Sequence, residues 1–169
     1  MIPDFGLAWE ELKTSPQFET FNKDNVNYYL AHGFLQLDKD EHAVTAWQIG
    51  FYSKEKDNLG VFSTSPVEFI NFEDAFKESG IISKLVFDKE VFIKTTDAIS
   101  TVKKILAKDY PNEQALNYII ILQVIDDTSV YNITVITAAF SMITFRIHAT
   151  SGSVLQQEKR SVLDLKKND

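Results

Sequence analysis

The stretches Trp47-Gln-Ile49-Gly-Phe51-Tyr-Ser-Lys-Glu-Lys-Asp-Asn-Leu59-Gly-Val61-Phe62 and Tyr131-Asn-Ile133-Thr-Val135-Ile-Thr-Ala-Ala-Phe-Ser-Met-Ile143-Thr-Phe145-Arg146 read as one object written twice. Laid over each other without a gap, they set Trp47 on Tyr131, Ile49 on Ile133, Phe51 on Val135, Leu59 on Ile143 and Val61 on Phe145. Apolar residues recur at every second position on both sides of a polar or small-residue turn. That is the pattern of a β-hairpin with one buried face. In the second hairpin, a turn at Ala138–Phe140 puts Val135 across from Ile143 and Ile133 across from Phe145. In the first, the same reading sets Phe51 and Val61 on one face, with Gly50 and Phe62 on the other.

Each hairpin follows a helical pattern. Leu7 to Lys13 reads as a short helix, and Ser15-Pro16 offers a cap followed by proline at the first helical position of another. Phe18 and Phe21 give that second helix its apolar side. A strand from about Tyr28 to Leu37, the turn Asp38–His42, a strand from Val44 to Ser53 and another from Leu59 to Thr64 complete a meander. Farther along, Ala98, Ile99, Val102, Ile105 and Leu106 mark one face of a helix opening at Thr95 or Thr96 and ending at Tyr110-Pro111. Leu116 to Val124, apolar at nearly every position, is expected to be a central strand covered on both faces. The hairpin strands 130–137 and 141–148 follow, then the turn Thr150–Ser153 and a short edge strand or helix through Leu163 and Leu165.

The expected fold class is therefore α+β: two similar units, each a helix packed on a three- to four-stranded antiparallel meander sheet. Residues 1–66 form the first unit and 95–169 the second. Between them, 67–94 is a connector in which Asn71 to Ser79 reads as a short amphipathic helix and Val91–Ile93 as extended chain.

The close of the second unit, His148-Ala-Thr-Ser-Gly-Ser-Val-Leu155, resembles the PepSY domain. There the last strand leads through an acidic or polar residue into Thr-Gly-Glu-Val-Leu or a variant; the acidic residues around the glycine are missing here. Tyr131, and Trp47 in the first unit, would be the aromatic that opens the middle strand. The resemblance covers about residues 90–157, and reaches 15–65 only through the internal repeat. It implies a non-enzymatic module of the kind found in protease propeptides and extracytoplasmic proteins, which inhibits or binds other proteins.

Composition narrows the function classes. A formal charge of −7 with only Arg146 and Arg160 as arginines argues against nucleic acid as a partner. The absence of Cys removes disulfides, Cys-ligated zinc and thiol chemistry. The N-terminus has neither a basic n-region nor an apolar h-region, and Tyr118–Leu122 is too short to span a bilayer. A soluble, cytoplasmic chain is expected, or an extracytoplasmic one if a leader has been removed.

The search for chemistry yields no catalytic, cofactor-binding or metal-binding set. His32, His42 and His148 lack metal-ligand spacing. Asp38, Asp40, Glu41 and His42 could surround a divalent cation, but the EF-hand glycine and distal glutamate are missing, so a solvated turn is the better reading. Asp126-Asp127 are turn formers before they are an acid–base pair. Trp9 and Trp47 are expected in the core. Tyr52, Phe62 and Ile136 remain as apolar residues expected on the sheet face away from the helix, either covered or facing a protein or peptide partner. The reading is a protein- or peptide-binding, inhibitor-like module without catalysis. Its rivals are a small ligand-binding domain or enzyme with a pocket between helix and sheet, and a structural assembly module such as a homodimer.

Overall fold

The helix starts follow from side chains able to cap them. In the computed structural model, which describes residues 1–75 and 81–162, the Asp4 carboxylate accepts from Gly6 N–H and starts α1 (Phe5–Lys13). Ser15 Oγ accepts from Phe18 N–H at 3.2 Å and Pro16 opens α2 (Pro16–Asp24). Lys94 stands at the N-cap of α3 (Thr95–Asp109), one residue before the threonines expected in that role, with no side-chain cap bond of its own, and Asp97 reaches back to the Lys94 N–H. A carboxylate or hydroxyl at such a place satisfies helix N–H groups that have no partner within the helix.

The strands are β1 (Tyr29–Asp38), β2 (Gln48–Ser53), β3 (Asn58–Ser63), β4 (Glu68–Asp74), β5 (Ala115–Ile125), β6 (Thr128–Thr137), β7 (Ser141–His148) and β8 (Val154–Ser161). They form one eight-stranded sheet in the order β4-β3-β2-β1-β5-β6-β7-β8, every neighbouring pair antiparallel. Among the described residues the fold is thus α+β, three helices with an eight-stranded antiparallel sheet. The seam is β1 against β5, from His32 opposite Gln123 to Asp38 opposite Asn117.

The second hairpin has the expected register, with Ile133 opposite Phe145 and Val135 opposite Ile143. The first differs by one residue. Phe51 lies opposite Gly60, Gly50 opposite Val61 and Ile49 opposite Phe62. Directly opposed residues share a face, so Phe62 joins Phe51 and Ile49, while Val61 joins Gly50 and Tyr52. A one-residue slip exchanges the faces of a whole strand.

Other elements also depart from expectation. Asn71 to Asp74 belongs to strand β4 and not to a helix, and residues 76–79 of that expected helix lie outside the described residues. Ala43 makes a single bridge to Leu37 and the strand proper begins only at Gln48. Val91 and Phe92 lie in a turn. The edge strand β8 ends at Ser161, and Leu163 and Leu165 lie outside the described residues.

All three helices pack on one face. Phe5, Ala8 and Leu12 of α1, Phe21 of α2, and Ala98, Ile99 and Val102 of α3 are buried in one cluster with Leu35, Leu37, Ile49, Phe62, Ile120, Leu122, Ile133 and Phe145. Gly33 is required by this closeness: a Cβ there would sit 2.5 Å from Phe5 Cε2 and 3.2 Å from Trp47 Cε3. Burying rings such as Phe5 and Phe145 contributes about 1.5–3 kcal/mol each. Trp47 is buried as expected, its Nε1–H donating to the Pro3 carbonyl at 2.8 Å. Trp9 is half-buried over Phe51.

Candidate protein-binding face of the sheet

Strand alternation sends every second side chain to the face opposite the helices. Strand β5 makes the asymmetry plain: Tyr118, Ile120 and Leu122 are buried, whereas Ile119, Ile121 and Gln123 stay partly exposed. The expectation that this strand is covered on both faces is corrected. It is central, but among the described residues only one of its faces carries helices.

Register then fixes rows across the helix-free face. Phe34 of β1 lies beside Ile121 of β5, Ile121 beside Asn132 of β6, and Asn132 beside Arg146 of β7. A parallel row runs from Gln36 through Ile119 and Thr134 to Thr144. A third joins Asn117, Ile136 and Met142. Phe34, Ile119, Ile121, Ile136 and Met142 are all partly exposed, and none belongs to the core cluster.

The three residues expected on this face are not grouped on it. Phe62 is fully buried on the helix side, against Phe18, Phe21 and Phe69. Tyr52 does lie on the helix-free side but is buried, its ring edge-on to Tyr29 and its hydroxyl donating to Asp57 Oδ1 at 2.5 Å. Of the three, Ile136 alone is on this face and accessible. Phe34, Ile119, Ile121, Asn132, Met142 and Arg146 were not singled out by the sequence. The continuous apolar run of β5 hid which of its residues faced away from the helices.

Two polar groups on the β6–β7 part of this face are unusual. Arg146 Nε and Asn132 Oδ1, on directly opposed residues, are shielded from solvent and have no hydrogen-bond partner among the described residues. A shielded polar atom without a partner carries a desolvation cost.

The histidines have structural surroundings. His32 lies on the helix-free face with its ring against Gly50, where a Cβ would be 2.3 Å from His32 Cε1. Desolvation there lowers its pKa to about 4. His148 Nδ1 accepts from the Ser151 N–H at 3.1 Å and the Thr150 N–H at 3.3 Å, so it organises the turn before β8. Asp38 Oδ1 accepts from the Asp40 and His42 N–H groups, each at 2.9 Å, and these bonds hold its carboxyl below the usual range. The Asp38, Asp40 and His42 side chains are close together, in an arrangement that the turn itself accounts for.

Two clefts open at the surface. One, about 270 Å³, lies beside the starts of α1 and α3 and is lined by Leu7, Glu10, Phe87, Phe92, Lys94 and Tyr131 among others. The other, about 440 Å³, lies beside the end of α3. Neither is lined by His32 or His148. Among the described residues no helix is long and apolar enough to cross a membrane.

No family model and no curated protein matches the chain. Its fold is similar to that of a crystal structure of a "putative lipoprotein" from Clostridium difficile 630, at a TM-score of 0.51 and 12% identity. The likeness covers 85% of this chain and 90% of that one, and at such identity it concerns the fold alone.

Proposed function

We propose that this protein binds another protein through the helix-free face of its sheet and carries out no catalysis. The observation that carries this reading is the row Phe34–Ile121 with Ile119, Ile136 and Met142 around it. These are apolar side chains at the centre of the sheet that no described element covers. Strands β1, β5, β6 and β7, about 4.8 Å apart and some seven residues long at about 3.4 Å each, offer roughly 450 Å². That is more than half of one partner's share of a standard interface, which is about 800 Å².

The chain is read further as two copies of one unit, helix then four-stranded meander, joined at β1 and β5. Its support is the strand order, which reads outward from that seam as β1 to β4 on one side and β5 to β8 on the other. Trp47 and Tyr131 support it too, since each sends its polar atom to a backbone carbonyl, of Pro3 and Ile93 respectively. The binding role is the one the PepSY resemblance of the Thr150–Leu155 segment implies.

Affinity capture from native extract tests the reading with three baits: wild type, Phe34→Ala/Ile121→Ala, and the β4 edge variant Ile70→Ala. The expected result is a partner retained by wild type and Ile70→Ala and lost by the face variant. Equal recovery by all three, with the baits equally folded, removes the face as the binding site.

A further inference from the structure

The helix-free face has a charge pattern that narrows its partner. Net charge over the chain is −7. Yet the residues that β2, β1, β5, β6 and β7 present on this face are almost all uncharged at neutral pH. Gln48, His32, Phe34, Gln36, Asn117, Ile119, Ile121, Gln123, Asn132, Thr134, Ile136, Met142 and Thr144 carry no formal charge there, and Asp38 lies at the far end of β1. Arg146 is the one full charge in the interior of the face.

Arg146 also lacks what an arginine in a sheet ordinarily has. No hydrogen bond or ion pair engages it among the described residues, and its Nε is shielded from solvent with no partner. The nearest cross-strand side chains are Asn132 and Gln156, amides rather than carboxylates. Arg160, the chain's other arginine, is paired with Glu158 at 2.9 Å. The two arginines therefore differ in kind: Arg160 on the edge strand is compensated, and Arg146, one strand in from that edge, is left open. A guanidinium enclosed by apolar and amide groups gains most from a planar carboxylate, which it meets through two parallel N–H donors.

We infer that the partner is a protein segment or surface that sets an Asp or Glu carboxylate against Arg146 and packs apolar side chains on Phe34 and Ile121. This rests on the reading of the face as a binding surface. A second copy of the chain is a poor occupant, because stacking two such faces brings an uncharged interior and another arginine to Arg146. Among the described residues, the carboxylates on such a face are Asp38, Glu68, Glu73 and Glu158, at its ends and edges. Arginines that become enclosed on binding are frequent energetic anchors of interfaces.

A phage-displayed library of random peptides, selected on the wild-type protein at neutral pH, separates the claims. Binders that fail on Phe34→Ala/Ile121→Ala define those that use the face. They are expected to be enriched in Asp and Glu over the starting library and to lose about tenfold or more in affinity on Arg146→Gln, the scale of losing one member of a buried charge pair. On Arg160→Gln they should bind as on wild type. Thermal unfolding of each variant confirms that it is folded. Face-dependent binders without acidic enrichment, or indifferent to Arg146→Gln, overturn the acidic partner and leave the face standing. No face-dependent binder at all overturns both readings. A wild-type dimer in light scattering that Phe34→Ala converts to monomer overturns the acidic partner in favour of a second copy.

Discussion

The Asp4 carboxylate accepts the Thr95 backbone N–H at 3.1 Å, although 91 positions separate the two residues. Its other oxygen accepts from Gly6 N–H, also at 3.1 Å, so one side chain serves the first turns of both α1 and α3. The contact is reciprocated by Thr95 Oγ1, which accepts from the Phe5 N–H at 3.3 Å. Helix N-termini carry partial positive charge, and a carboxylate shared between two of them meets both.

Asp4→Ala is therefore expected to destabilise the protein by more than a single cap does, about 2 kcal/mol. Asp4→Asn, which keeps one acceptor, should cost less. Chemical denaturation of the three proteins measures this, and an Asp4→Ala variant as stable as wild type contradicts the shared cap.

Neighbours on β5 test the asymmetry of the sheet. Ile120 is fully buried beneath the helices, whereas Ile121 is partly exposed on the other side. Ile120→Ala should cost about 2–5 kcal/mol, the range for truncation in a packed core. Ile121→Ala should cost no more than about 1 kcal/mol, as expected for a site away from the core. Equal losses would mean that the second face is packed as tightly as the first.

His32 gives a pH dependence of definite sign. Desolvation lowers its folded-state pKa to about 4 from 6.5. Between those values the unfolded chain binds a proton that the folded chain does not. Stability should therefore fall as pH drops through this window and should not depend on His32 above it. The loss attributable to the residue is at most about 3 kcal/mol. His32→Gln should flatten the slope of unfolding free energy between pH 6.5 and 4 relative to wild type. Parallel slopes for the two proteins would contradict a neutral, desolvated His32.

The second hairpin was legible in the sequence because its alternation is unbroken: Tyr131, Ile133, Val135, Ile143, Phe145 and Ile147 are all buried. The first was misread by one residue. Leu59, Val61 and Phe62 offer apolar side chains to either face, and Gly60, which takes the place opposite Phe51, supplies no side chain to mark its parity. Gly60 instead leaves room for Phe21, whose ring would lie 2.9 Å from a Cβ there. Strand β4 escaped notice as well. A bulge opposite Val61 and Phe62 places Phe69 and Phe72, three residues apart, on the same side of the strand. The helix expected from Asn71 to Ser79 rested instead on the helical spacing of Phe72, Ala75 and Phe76, which says nothing of the pairing of Phe72 with β3.

The site was less legible than the fold. Phe34, Ile121 and Arg146 are brought together only by the pairing of β1 with β5 and of β6 with β7, and β1 and β5 are far apart in sequence. Alternation within one strand marks two faces, but it does not say which of them the helices will cover.

A photo-crosslinking amino acid placed at position 121 tests the helix-free face most directly, with position 70 on the β4 edge as the comparison, each irradiated in native extract. The account predicts a crosslink from position 121 to a different protein, absent from position 70 and lost when Phe34→Ala is added. Crosslinks from position 70 alone, or from position 121 only to another copy of this chain, would contradict it.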